Sequence, residues 1–343
     1  MHPVKKIRLR LSLRLWFPLL AVLWLTTACR RPGQKVFQGY ALGTTYKIIV
    51  QGDGDRLSQS DIEELIRRLN ASLSTYQGQS LISRINRGDT LKADRHFAYV
   101  FRKAYEIYRE TEGRYDPTIG LLVNAWGFGP GKKIPGIETD SSIVDSLMRY
   151  VGMDLVRIDS DSTVRKKYPR TFIDFNSIAK GYVIDQIGAL IASKGYRHYL
   201  VELGGEVLAR GHNVRENRPW IVSIDYPAPG SRAEMLEVPL TDRAVATSGN
   251  YRKFKIDRKT GRKYVHTLNA LTGYPAVSHL LSASVFAPDC TTADGWATAC
   301  MASGLDKARQ YIEAHPELDA ILIYSDSTGQ IRVWNSGVEA YSP

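Results

Sequence analysis

The sequence predicts an α+β fold: one domain with a mixed, largely antiparallel sheet flanked by helices. Strand-like alternating segments and helix-like segments of 3.6 periodicity are interspersed without a repeated strand–helix rhythm, which argues against a doubly wound parallel sheet. No strand runs into G-x-G-x-x-G, and no G-x-x-x-x-G-K-[ST] loop is present, so neither dinucleotide-fold nor P-loop architecture is written here. Finally, 343 residues at 43% apolar content can bury a substantial core, which excludes a disordered chain.

The chain opens with a basic stretch up to Arg14, an apolar run from Leu15 to Leu25, and Thr26-Thr27-Ala28-Cys29. A charged start, an apolar core too short for a comfortable span and small residues at its end describe an export signal over residues 1–28. Small-small-Cys resembles a bacterial lipoprotein box, with Thr26 where Leu is usual, so Cys29 is the candidate lipidation site; cleavage without lipid and an uncleaved anchor are the alternatives. Residues 29–38 then read as lipidated Cys and polar tether, and residues 39–343 as the folded domain. The localisation implied is a membrane lipoprotein facing the periplasm, with the choice of inner or outer membrane left open.

Net charge is +11, but five basic groups lie at or before Arg14 with no acidic ones, leaving +6. That mild excess suits an anionic ligand or lipid surface. It gives no nucleic-acid reading, because no basic run is interleaved with aromatics and no recognition-helix or zinc-finger spacing occurs. Cys290 and Cys300 form no C-x-x-C pair, so no zinc or thioredoxin-type motif is suggested; Cys300 reads as a small buried hydrophobe.

Alternation after Thr44 marks a strand through Val50. Ile62, Leu65, Ile66, Leu69 and Leu73 lie at helical spacing from Asp61 to Leu73, and Phe97 to Glu110 forms a second amphipathic helix closed by Glu112-Gly113. Trp126-Gly127-Phe128 puts two aromatics around a glycine, which suits a planar ring ligand or a core plug equally. Pro135 to Asp140 reads as a surface excursion and Ser141 to Tyr150 as a short helix. Tyr199-Leu200-Val201-Glu202-Leu203, Val207 to Gly211, Trp220 to Ile224, Val245 to Ser248, Tyr264 to Leu268 and Ser282 to Pro288 read as extended segments. Ala293 to Ser303 is a helix opened by Thr292, and Ala320 to Trp334 an edge hairpin.

The chain centres on Asp174-Phe175-Asn176-Ser177-Ile178-Ala179-Lys180-Gly181, which follows the extended apolar Thr171-Phe172-Ile173 and opens a helix. A helix start approached through small residues leaves N–H groups for an anion. Asp174 could bond a base, ring or ribose edge, and Lys180 could meet a carboxylate or phosphate; a capping Asp and a solvated Lys are the plain alternatives. Asp294 and Thr298 are one turn apart and could offer hard oxygens to one cation, although Asp in a first turn is favourable without metal. His266 on an extended segment is by itself an ordinary structural histidine.

Downstream stand Glu202-Leu203-Gly204-Gly205-Glu206, Ala246-Thr247-Ser248-Gly249-Asn250-Tyr251, His266-Thr267-Leu268-Asn269-Ala270-Leu271-Thr272-Gly273 and Thr291-Thr292-Ala293-Asp294-Gly295-Trp296-Ala297-Thr298-Ala299. With Asp174-x-x-x-Ile-Ala-Lys-Gly, this ordered set resembles the ApbE family of flavin transferases, from about Leu42 to the C-terminal hairpin. The resemblance implies FAD cleavage to AMP and attachment of FMN to a threonine of a partner protein, with Mg²⁺.

It also implies flavin contacts at Leu42 (where the family usually has Met), Tyr76, Trp126, Gly127, Phe128, Asp174, Lys180 and Leu268. Magnesium would be held by Asp294, Thr298 and the Ser177 carbonyl, and His266 and Asp294 would be catalytic. The implied acceptor is an exported flavin subunit of an Rnf-type complex or a sodium-pumping NADH:quinone reductase. Asn269 and Ala270 replace the family's Asp-Pro, which puts that loop's role in question. Two other functions fit the same residues: an FAD pyrophosphatase, with water as nucleophile, and a lipid-anchored flavin carrier without turnover.

Overall fold

The structure, a computed structural model, describes residues 33–54, 56–225, 235–250, 254–256, 263–276 and 278–341; the export signal and Cys29 lie outside them. A hairpin of β1 (Gln34–Ala41) and β2 (Thr44–Gln51) leads to helices α1 (Gln59–Leu73), α2 (Leu81–Arg87), α3 (Arg95–Glu110), α4 (Gly120–Ala125) and α5 (Ser141–Met148). A small ribbon, β3 (Val156–Ile158) with β4 (Val164–Lys166), precedes α6 (Ala179–Ser193). Then come β5 (His198–Leu203), β6 (Glu206–Arg210), β7 (Trp220–Asp225), β8 (Met235–Leu240), β9 (Ala244–Gly249), β10 (Phe254–Ile256), β11 (Lys263–Val265) and β12 (Leu280–Ala287). The chain closes with α7 (Cys290–Ser303), α8 (Leu305–Ala314), β13 (Asp319–Ser325) and β14 (Ile331–Asn335).

Eight strands form one sheet in the order β1-β2-β5-β6-β9-β12-β13-β14, and every pairing within it is antiparallel. Its two faces are buried differently, as the period-2 alternation of strand side chains requires. Ile48, Val50, Val201, Leu208, Ala246, Val285 and Leu322 face the helices. Val207, Ala209, Val245, Phe286, Ile321 and Ile323 face the β7–β8 hairpin through Trp220, Val222, Ile224, Val238 and Leu240.

The helices begin where the sequence provides caps: Ser58 and Asp61 form a reciprocal capping box on α1, and Asp94 accepts from His96 and Phe97 at the start of α3. α6 and α7 are the inner helices, and Gly181 is what lets them meet. A Cβ there would lie 2.1 Å from the Cys290 carbonyl oxygen and 2.9 Å from Asp294 Cβ.

Three local expectations change, and the reading of Cys300 as a buried hydrophobe holds. β1 starts at Gln34, inside the stretch read as tether, because its backbone pairs with β2 from Gln34 opposite Gln51 onward; composition alone hides a long-range pairing. The Thr171–Ile173 approach is not a sheet strand. It makes one bridge, Phe172 to Ile119, and Ile173 is satisfied instead by the Asn86 side chain, which both accepts from its N–H and donates to its carbonyl at 2.8 Å. α7 starts at Cys290, capped by Asp289, rather than after Thr292. Cys290 and Cys300 are both free and buried; ten residues apart on one helix, they stand about 15 Å apart.

Candidate active site

A cleft of about 820 Å³ opens where the inner helices meet one end of the sheet, within the usual size range of ligand sites. One wall is the loop from Arg114 to Ile119 with Gly127 and Phe128; the floor is Asp174 to Lys180. The Gly204-Gly205-Glu206 turn, the ends of β7 and β9, the His266 to Ala270 segment and Asp294 with Thr298 of α7 complete it.

Asp174 is buried, and burial raises its carboxyl against the opposing bond from the Asn176 amide. Its own N–H donates to the Pro117 carbonyl at 2.7 Å. It therefore caps the turn before α6, not the helix itself. The first-turn amides of α6 are largely taken: Ala179 by the Phe175 carbonyl, Tyr182 by Ile178, and Gly181 by Asp294 Oδ2 at 3.0 Å. The helix end expected to collect phosphate through free N–H groups is thus already occupied by a carboxylate from α7. The dipole of α6 and the negative charge of Asp294 stabilise each other.

The residues read as cation ligands, Ser177, Asp294 and Thr298, line the same cleft. Thr298 Oγ1 donates to the Ser177 carbonyl at 3.3 Å and lies 3.3 Å from Ser248 Oγ. Ser177 is held by its own hydroxyl, which donates to Tyr115 Oη at 3.0 Å. Asp294 is 3% exposed; burial raises its carboxyl, and Lys180 opposes that. One carboxylate, one hydroxyl and one carbonyl are hard oxygens of the kind Mg²⁺ accepts while keeping waters or phosphates in its other positions. Among the described residues no group of three or more His, Cys, Asp or Glu side chains stands together as a metal site.

Lys180 is not solvated. Its ammonium pairs with Glu206 Oε1, and although burial disfavours its charge, Asp294 and Glu206 together outweigh that and raise its pKa. Glu206 is 3% exposed, and burial lifts its carboxyl to about 7 in spite of Lys180. Its Oε2 is buried with no hydrogen-bond partner among the described residues.

Of the residues singled out by sequence, Tyr76, Gly127, Phe128, Asp174, Ser177, Lys180, His266, Leu268, Asp294 and Thr298 all line the cleft. Trp126 does not. It is buried against Leu122, Val144 and Leu147 and donates from Nε1 to the Gly273 carbonyl at 2.9 Å, so it is the core plug that positions its two neighbours. Leu42 also stands outside the lining, at φ +51° in the β1–β2 turn. Asn269 keeps its loop folded without a carboxylate, its Oδ1 accepting from Leu271 N–H at 2.9 Å as in an Asx-turn.

Sequence reasoning gave no role to Glu206, Tyr115, Asp116, Ser248 or Asn86, although Glu206 and Ser248 stood within the motifs quoted above. Only Glu206 carried a signal, as the charged residue that follows a Gly-Gly turn.

An α+β frame that gathers hard oxygens, a half-buried lysine paired with a buried carboxylate, and half-apolar walls in one large cleft has the make-up of an enzyme site for an anionic substrate. The chain belongs to the ApbE family, whose model matches residues 42–322. It is 32% identical to the FAD:protein FMN transferase of Haemophilus influenzae, covering 88% of this chain and 90% of that one. It is 31% identical to that of Vibrio cholerae, covering 92% and 96%. Its structure resembles the flavin transferase ApbE from Vibrio cholerae with a TM-score of 0.81 at 29% identity, over 89% of this chain and 98% of that one. The apo form of the Pseudomonas stutzeri flavinyl transferase ApbE gives 0.78 at 27% identity, over 89% and 95%.

Proposed function

We propose that this protein is a Mg²⁺-dependent FAD:protein FMN transferase. It cleaves FAD to AMP and attaches FMN through a phosphoester to a threonine of an exported redox-complex subunit, of the Rnf type or of a sodium-pumping NADH:quinone reductase. The observation that carries this reading is the convergence of Asp294, Thr298 and the Ser177 carbonyl beside the Lys180–Glu206 pair in a cleft large enough for a dinucleotide. Lipidation at Cys29 would tether the enzyme to the membrane facing the periplasm, where such a subunit is exposed.

In this mechanism Tyr76, Phe128 and Leu268 hold the flavin ring, and Asp174 bonds a polar edge of the substrate. Lys180, kept charged by two carboxylates, balances the pyrophosphate. Asp294, Thr298 and the Ser177 carbonyl would hold Mg²⁺, which would supply Lewis-acid chemistry there. The acceptor threonine Oγ forms a bond to the FMN phosphorus as the bond from that phosphorus to the bridging oxygen breaks, and AMP leaves with that oxygen. The threonine proton passes to the His266 imidazole.

Water in place of threonine would give FMN and AMP.

The test is mass spectrometry of a purified Rnf-type flavin subunit after incubation with the protein, FAD and Mg²⁺, with AMP measured in parallel. A mass gain equal to an FMN phosphoester, lost in Asp294→Ala, supports the transferase. AMP without acceptor modification gives the hydrolase, and neither product gives the carrier.

A further inference from the structure

The β7–β8 hairpin covers only part of the sheet face it packs on, and a groove lies beside it on that face. Pro239 has no N–H, and it lies opposite Ile221. Glu237, opposite Ser223, exchanges both backbone hydrogen bonds with Tyr341 at 2.8 and 2.9 Å, on the side away from β7. Hydrogen-bonded and non-bonded pairs alternate along an antiparallel ladder. The Ile221 and Ser223 pairs are therefore the non-bonded ones, and the N–H and C=O groups of both residues point outward from β7. Neither finds a backbone partner among the described residues.

Beside this edge runs a groove of about 470 Å³. Its floor includes the cross-strand pair Ile49 and Leu200, both only partly buried. Gly205 and Ser223 line this groove and the main cleft alike, so the two adjoin.

We propose that the outer edge of β7 is the docking site for the acceptor protein, whose threonine-bearing segment binds there in extended form as a third strand of the β7–β8 layer. This rests on the transferase reading above. The added strand would satisfy the outward groups of Ile221 and Ser223, cover Ile49 and Leu200, and advance about 3.3 Å per residue past Ser223 into the cleft, where the nucleophile is required. Backbone pairing gives affinity and the groove floor gives selectivity, as in other strand-addition complexes. Adjacency to the cleft points to the occupant: a strand laid on this edge brings its next residues to the side of the cleft lined by Ser223, Ile224 and Asp225.

Ile221→Pro tests this, because it deletes an outward N–H while leaving the bonds to β8, and edge strands tolerate proline. Ile49→Thr is the second variant; it removes apolar floor without touching β7. With the same Rnf-type flavin subunit as acceptor, each should raise the acceptor KM by about tenfold, equivalent to one lost interaction of about 1.4 kcal/mol. FAD binding and acceptor-free AMP release should remain within about twofold, which also certifies folding.

In hydrogen exchange, the Ile221 and Ser223 amides of the unmodified enzyme should become protected when the acceptor is added. An unchanged acceptor KM in the folded variants, or no amide protection at saturating acceptor, overturns the proposal. Concentration-dependent protection without acceptor also overturns it, since a second copy would then occupy the edge. If the unmodified enzyme transfers no flavin yet the two amides are protected by the subunit, the catalytic reading fails and the docking surface stands.

Discussion

Lys180 reaches across the cleft to Oε1 of Glu206, while Oε2 of the same buried carboxylate has no hydrogen-bond partner among the described residues. Burial outweighs the lysine and holds the Glu206 carboxyl at about 7, above its ordinary 4.5. The folded state thus holds this proton more tightly than the unfolded chain. Its contribution to stability is full below about pH 4.5 and is lost as pH rises through about 7. The metal-free protein should lose Tm across that window, and Glu206→Gln should flatten the loss. Differential scanning calorimetry from pH 5 to 8 on both proteins checks this; parallel curves would sink it.

Asp294 joins two roles, as part of the cation-fitting oxygen set and as the acceptor for Gly181 N–H. Asp294→Ala should abolish AMP release while FAD remains bound, as measured by flavin fluorescence. Thr298→Val keeps the shape but removes the hydroxyl that meets the Ser177 carbonyl, so the Mg²⁺ concentration for half-maximal turnover should rise by about 10-fold or more. A Mg²⁺ titration of each variant distinguishes a lost ligand from a damaged fold.

Asn86 replaces a sheet neighbour for Ile173, the residue before Asp174. Asn86→Ala strands both backbone groups and should cost about 1–3 kcal/mol in denaturant unfolding. Because the same bonds fix the approach to Asp174, FAD affinity should fall as well. Stability loss with unchanged FAD binding would show that the Asp174 loop is held by other contacts.

Gly181 is a contact residue between helices. In Gly181→Ala the new methyl meets backbone, the Cys290 carbonyl at 2.1 Å, which cannot swing aside as a side chain would. Separation of α6 from α7 should cost about 1–3 kcal/mol or more and pull Asp294 from its amide, so AMP release should drop along with Tm. An active variant of undiminished Tm would contradict this packing.

Much of the fold was legible in the chain. The apolar periodicity of α1 and α3 and the alternation in β2 are local signals, and each produced its element. The site was legible as motifs in one order, because small residues, a lysine and carboxylates recur where backbone approaches a ligand. Trp126 and Leu42 mark the limit of that reading. The Gly-flanked aromatic looked the same whether it faced the cleft or the core, and only the packing of α4 against α5 and the Gly273 turn decided that Trp126 faces inward.

Spacing along the chain established the α+β class and most elements, and the family resemblance supplied the candidate oxygen ligands. Only the tertiary structure decided that Asp294 closes the start of α6, that Lys180 is paired with Glu206 rather than solvated, that Asn86 stands in for a strand, and that β7 offers an open edge beside the cleft. Each of these joins residues dozens to more than a hundred positions apart. Their energies arise from burial and contact that exist only once the sheet and the two inner helices have assembled.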